Sequence, residues 1–202
     1  MASISVAGDS SGSISIAAPS AAGSGVLTLP TGTDTLVGKA TTDTLTNKSI
    51  AATQLTGTIA AAVLPAGSVL QVVSSNYSTQ VTNATSTYAD TGLTATITPS
   101  SASSKILIII NQADVSKINN TSCSIRLLRG ATVIYTPALL AAFTITATVN
   151  TVSVGGNYLD SPATTSATTY KTQFASQANI AEAVVQRNGA SSSSITLMEI
   201  QG

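Results

Sequence analysis

Five aliphatic residues follow Lys105 without a break, Ile106-Leu107-Ile108-Ile109-Ile110, and lead into Asn111-Gln112-Ala113. The run is too short for a helix of ordinary length. Its four isoleucines are β-branched and sit better on a pleated surface than against a helical turn. Turn-like sequence bounds it, Pro99-Ser100-Ser101-Ala102-Ser103-Ser104 before and Ser116-Lys117-Ile118-Asn119-Asn120 after. A short apolar run so bounded predicts a strand buried on both faces, which needs a layer on each side.

Material for those layers begins near Gly67. Period-2 patterning predicts strands at 69–74, 87–89, 93–98, 105–113, 122–128, 132–136, 144–154, 168–175, 182–187 and 195–201. Arg129-Gly130-Ala131 and Asn188-Gly189 predict hairpin turns. Alanines at 177–185 are helix-friendly, but the segment is short, runs into Val184-Val185, and is assigned to strand. The fold class is all-β, an antiparallel sandwich or barrel.

Composition narrows function by exclusion. Charged residues are 8% of 202, eight basic and eight acidic, with no cluster of Lys or Arg. A basic nucleic-acid face is therefore not expected. Ser and Thr take roughly three in ten positions, far above ordinary usage. A mean hydropathy of +0.35 with no net charge predicts surface buried in an oligomer or larger particle.

Histidine is absent, which removes the commonest general base and metal ligand. Lone Cys123 excludes an internal disulfide and is expected as small apolar filler. The carboxylates after Gly67, Asp90, Asp114, Asp160, Glu182 and Glu199, show no catalytic or calcium-loop spacing. Lys105 and Lys117 follow Ser-rich sequence, but Ser is too common here for a Ser-Lys pair to carry meaning. No enzyme, cofactor or metal is expected. Sequons at Asn47, Asn76, Asn83, Asn119 and Asn120 arise by chance in so Ser/Thr-rich a chain. The N-terminal sequence lacks the pattern of a secretory signal, and no apolar run approaches the roughly 20 residues of a membrane span. Membrane insertion is not expected.

Residues 1–66 differ in texture, with no aromatic residue and no arginine. Ser13-Ile14-Ser15-Ile16, Val26-Leu27-Thr28-Leu29 and Asp34-Thr35-Leu36-Val37 are short extended units joined by Gly- and Ser-rich links. They are too short to be stable alone. The competing reading is a disordered linker; the preferred one is a fibrous stem with a docking peptide, in which Ile4, Val6, Ile14 and Ile16 make the contacts. Leu64-Pro65-Ala66-Gly67 forms a joint, so the domains are 1–66 and 67–202.

Gly25-Val26-Leu27-Thr28-Leu29-Pro30, Thr42-Asp43-Thr44-Leu45-Thr46-Asn47-Lys48-Ser49-Ile50 and Gln54-Leu55-Thr56-Gly57-Thr58-Ile59 resemble, in this order, the stem repeats of bacteriophage tail-fibre proteins. The later part is similar to the C-terminal knobs of phage fibres, themselves similar to trimeric jelly-roll domains of the tumour-necrosis-factor and C1q type. That likeness rests on Val69-Leu70-Gln71-Val72-Val73, Asp90-Thr91-Gly92-Leu93, Ser103-Ser104-Lys105-Ile106-Leu107, Arg126-Leu127-Leu128-Arg129-Gly130, Tyr158-Leu159-Asp160-Ser161-Pro162 and Ser194-Ile195-Thr196-Leu197-Met198-Glu199-Ile200. The stretch 138–149 departs from the pattern.

The resemblance implies a fibrous stem and jelly-roll knob assembled as a parallel homotrimer. A virion tail or head protein would hold the N-terminus, and a host-surface glycan or protein would be bound by the knob during adsorption. Such a protein is a virion component assembled in the host cytoplasm. Counting strands back from the last puts loops 156–167 and 188–193 at the distal tip, with Asn157, Tyr158, Asp160, Asn188 and Ser191 as receptor-contact candidates. The alternative is a purely structural virion protein, a head fibre or a tail or baseplate connector.

Overall fold

The computed structural model describes residues 49–51, 53, 57, 59–60, 63–178, 181–189 and 191–202, and the backbone of strands β1 (Ser3–Ala7) and β2 (Ser13–Ala17). The chain divides into two compact units, Met1–Thr56 and Gly57–Gly202. In the first, β1 and β2 pair antiparallel, with Ile4 opposite Ile16 and Val6 opposite Ile14. The stem units expected at 26–30, 34–38 and 42–48 lie outside the described residues.

The second unit is all-β. Its strands are β3 (Val69–Tyr77), β4 (Val81–Asn83), β5 (Ala89–Ile97), β6 (Lys105–Lys117), β7 (Cys123–Arg129), β8 (Thr132–Ala141), β9 (Asn150–Asp160), β10 (Thr168–Ser176), β11 (Ala183–Val185) and β12 (Ser193–Ile200). One antiparallel sheet runs β3-β12-β6-β9, and β11 and β4 extend it beside the far end of β6. The other runs β5-β10-β7-β8. The sheets face each other as a sandwich, because inward residues of both share one core.

The central run behaves differently from its expectation. Ile106, Ile108 and Ile110 are buried, at 0%, 0% and 2% exposure, whereas Ile109 is 42% exposed and Leu107 half-buried. Strand alternation sends one set inward and the other outward, and within the described unit only the inner face has a layer against it.

The core has two apolar clusters separated by a polar layer. Leu93, Ile97, Ile106, Ile108, Leu127, Tyr170 and Leu197 belong to one; Val115, Cys123, Ile125, Phe174 and Val185 belong to the other. Each buried aliphatic contributes about 1.5–3 kcal/mol. Between them Thr91 and Thr172 hydroxyls lie 2.6 Å apart, and Thr172 Oγ1 donates to Gln112 Oε1 at 3.0 Å. Gln112 Nε2 and Gln186 Nε2 both donate to Ser193 Oγ, at 2.9 and 2.8 Å. These five residues are fully buried, so a one-residue slip of any of their strands would strand polar groups in an apolar layer.

Several sequence expectations are corrected. Segments 87–89 and 93–98 form one strand, β5, which bulges against β10 where Gly92 takes φ +87°. The strand expected at 144–154 starts at Asn150, and β8 runs on to Ala141. Gly155 and Gly156, expected in a loop, lie inside β9: a side chain on Gly156 would press on the Tyr135 ring and Pro137 of β8, 3.0 and 3.1 Å away. Asn188-Gly189 does not join a hairpin. Strands β11 and β12 lie end to end along the same side of β6, and Arg187–Gly189 form a tight turn between them.

Candidate functional site

Gly67 N–H donates to the Gln201 carbonyl and Gln201 N–H to the Ser68 carbonyl, both at 2.8 Å, so the start of β3 and the end of β12 meet. Asp160 pairs in register with Ile106, and Ile200 with Lys105, which places Asp160 at that near end. Asn188 and Ser191 precede Ser193, which pairs with Tyr77 at the opposite end. The loops expected to share a tip are therefore separated by the length of β12.

Asn157, Tyr158 and Asp160 are strand residues. Asn157 is exposed, and Tyr158 stacks on Tyr135 with ring centroids 5.5 Å apart. Asp160 is 5% exposed; Arg129 Nη1 reaches both its oxygens, at 2.9 and 2.8 Å, and Tyr170 Oη donates to Oδ2. Its carboxylate faces the protein. Asn188 is exposed with φ +66° and its N–H donates to Gln80 Oε1; Ser191 is half-buried. Cys123 is buried, and burial pushes its thiol up to about 12, in keeping with filler. Among the described residues no group of His, Cys, Asp and Glu is arranged to hold a metal ion.

Two surfaces stand out that the sequence did not locate. The first is apolar. Register aligns Val72, Met198, Leu107 and Leu159 across β3, β12, β6 and β9 on the outer face, with Ile109 adjoining. Val72 and Leu159 are 55% and 50% exposed. This face continues into a flank where β8 and β9 each end a sheet. From Gly130 to Leu159 there is no charged residue, and Leu139, Leu140, Phe143 and Ile145 are exposed. Edge strands of lone proteins usually carry charge to prevent pairing.

The second surface is polar and lies on the outer face of β5-β10-β7. Asp90, Gln173 and Arg126 stand in register across the three strands. Arg126 donates from Nε and Nη2 to Gln173 Oε1, Gln173 Nε2 donates to Asp90 Oδ1, and Lys171 Nζ to Asp90 Oδ2 at 2.9 Å. The Arg126 guanidinium lies 3.8 Å over the Tyr88 ring. Burial would raise the Asp90 carboxyl, but hydrogen bonds from Lys171 and Gln173, with the charges of Lys171 and Arg126, hold it below its usual value. Beside this row the β5 bulge opens a cleft of about 170 Å³, lined by Asp90, Gly92, Leu93, Thr94 and Lys171. The alternation of Lys171 and Gln173 with Tyr170, Thr172 and Phe174 was a legible sign of an outward polar face; their partners on other strands were not.

No protein-family model matches the chain, and no curated protein sequence does. Among solved structures, the infectious bursal disease virus VP2 subviral particle is similar at 12% identity and a TM-score of 0.38, over 65% of this chain. The match spans 37% of that chain.

Proposed function

We propose that this chain is a phage tail-fibre protein, assembled as a parallel homotrimer, whose knob binds a host-surface receptor during adsorption. The observation that carries the reading is the uncovered outer face of β6. A strand with this aliphatic run on both faces has one covering layer within the described unit, and the other face presents Leu107, Ile109, Leu159, Met198 and Val72. A neighbouring copy supplies the missing layer, and the charge-free β8–β9 flank is the surface that copy offers. Strand order supports the jelly-roll form of the sandwich: the eight long strands β3, β5 to β10 and β12 fall into the sheets β3-β12-β6-β9 and β5-β10-β7-β8, a double Greek-key order. The stem-repeat resemblance of residues 25–59 supports the fibre, and the resemblance of the later part to trimeric jelly-roll knobs supports a stoichiometry of three. Weak binding per knob is strengthened by several copies on one particle.

Two measurements test this. Sedimentation of the full chain should give three times the 20.1 kDa subunit mass, and Leu159→Glu should reduce that mass. Saturating purified protein should block phage adsorption; unimpeded adsorption by a trimer that is intact sinks the receptor reading. The second reading, a virion connector, is favoured by the apolar loop at the far end, where Phe143 is 53% and Ile145 87% exposed. It predicts that this loop is covered on the assembled particle.

A further inference from the structure

We infer that the row Tyr88, Asp90, Arg126, Lys171 and Gln173, with the cleft beside it, is a binding site for an anionic saccharide, a sugar ring bearing a carboxylate or a phosphate. The inference rests on the receptor-binding reading and specifies its ligand. It lies on the outer face of the sheet opposite the one proposed to pack against neighbouring copies, so assembly leaves it open.

Charge comes first. In a chain with 8% charged residues and no net charge, two cations and one carboxylate stand together here, an excess of one positive charge on an exposed sheet face. Arg126 commits two of its five N–H donors to Gln173, which leaves three for a ligand, and a guanidinium fork matches carboxylate or phosphate oxygens two at a time. Lys171 uses one N–H on Asp90 and has two over.

Order comes second. The bonds from Arg126 through Gln173 and Asp90 to Lys171, and the stacking on Tyr88, hold these long side chains in one arrangement before any ligand arrives. A site set in advance loses less entropy on binding. Asp90 Oδ1 and Oδ2 and the Thr94 hydroxyl offer acceptors beside the donors, the pairing that adjacent sugar hydroxyls require.

Size comes third. The cleft of about 170 Å³ is below the roughly 300–1,000 Å³ of pockets for drug-sized ligands, and suits one ring of a surface-exposed chain. Gly92 shapes it, since the bulge at its positive φ sets Thr91, Gly92 and Leu93 between the register pairs Asp90–Gln173 and Thr94–Lys171.

The test is titration of the full-length trimer, by calorimetry and by protein-observed NMR, with trigalacturonate, its neutral methyl ester, glucose 6-phosphate and glucose. The expected result is binding of one or both anionic sugars and of neither neutral one, weakened by salt. Which anion binds identifies the source of the charge. Arg126→Ala should weaken binding by roughly tenfold or more, the loss of one charge-assisted paired contact. Arg126→Lys keeps the charge but not the fork and should recover only part of it, while Thr79→Ala, at an exposed turn outside the row and the cleft, should change nothing. Circular dichroism of each variant confirms that it folds. No binding by either anion, equal binding of neutral and anionic sugars, or binding indifferent to both Arg126 variants overturns the inference. If adsorption is blocked while no anionic sugar binds, this site fails and the receptor reading stands. If the sugar binds but adsorption is not blocked, the reverse holds.

Discussion

The Tyr170 hydroxyl donates a 2.7 Å hydrogen bond to Asp160 Oδ2 at the edge of the core, on the carboxylate that Arg129 grips from β7. Burial, and then the Asp160 bond and charge, raise the Tyr170 phenol above its usual range, which favours the protonated, donating form. This joins β7, β9 and β10, strands of both sheets. Asp160→Ala should destabilise the domain by about 2–4 kcal/mol, because it leaves a cation and a buried hydroxyl without their acceptor. Tyr170→Phe should cost only about 1 kcal/mol, having lost one bond and kept the ring. Chemical denaturation of both variants and the double mutant checks the coupling. Equal losses for the two would contradict the assignment of Asp160 as the hub.

Gly92 is under two constraints at once. Its φ is +87°, and a Cβ there would fall 2.2 Å from the Tyr77 ring. Gly92→Ala should therefore destabilise by about 2–3 kcal/mol, the strain of the backbone added to overpacking. In a double-mutant cycle, Gly92→Ala should cost less in a Tyr77→Ala background than in the parent, since the overlap disappears and the backbone strain remains.

Glu199 gives the domain an acid sensitivity. It is fully buried, and Gln71 Nε2 and the Ser100 N–H and hydroxyl donate to it at 2.6, 2.7 and 2.7 Å. Burial would raise its carboxyl; these donors outweigh that and lower it below the usual 4.5, and the Ser104 hydroxyl adds to the pull without reaching bonding geometry. A folded-state value below the unfolded one stabilises at neutral pH. That contribution is present above pH 4.5 and is lost as pH falls through the lowered value. Glu199→Gln should lose about 1–2 kcal/mol at pH 7 and show a flatter decline of melting temperature on acidification than the parent.

Lys117 is fully buried, and its ammonium donates to the Asn119 carbonyl at 3.0 Å and the Thr146 carbonyl at 2.6 Å. It ties the turn after β6 to the loop 142–149. Lys117→Met removes a buried charge as well as two bonds, so global stability should move by only about 1–2 kcal/mol. Limited proteolysis of the loop should accelerate by roughly tenfold, because cleavage follows local opening. A loop cut no faster than in the parent would show that other contacts hold it.

What was legible in the sequence is what depends on near neighbours. The β class, the strand at Lys105, the tight turn at Gly130 with φ +56° and the outward alternation of Lys171 and Gln173 all follow from backbone preference and period 2. Failures came where a distant element overrode the local signal. Glycines 155 and 156 read as loop because nothing nearby in sequence shows that Tyr135 and Pro137 need the space.

By itself, then, the sequence determined that this chain pairs strands, since residue type and a period of two settle that. Tertiary structure decided which face of Ile106–Ile110 is covered, that Asp160 turns inward to Arg129 and Tyr170, and that Asp90, Arg126 and Lys171 meet on one sheet. The reason is register. Cross-strand neighbours are set by how whole strands align to bury their inner faces, and that alignment joins residues dozens of positions apart that no local pattern connects.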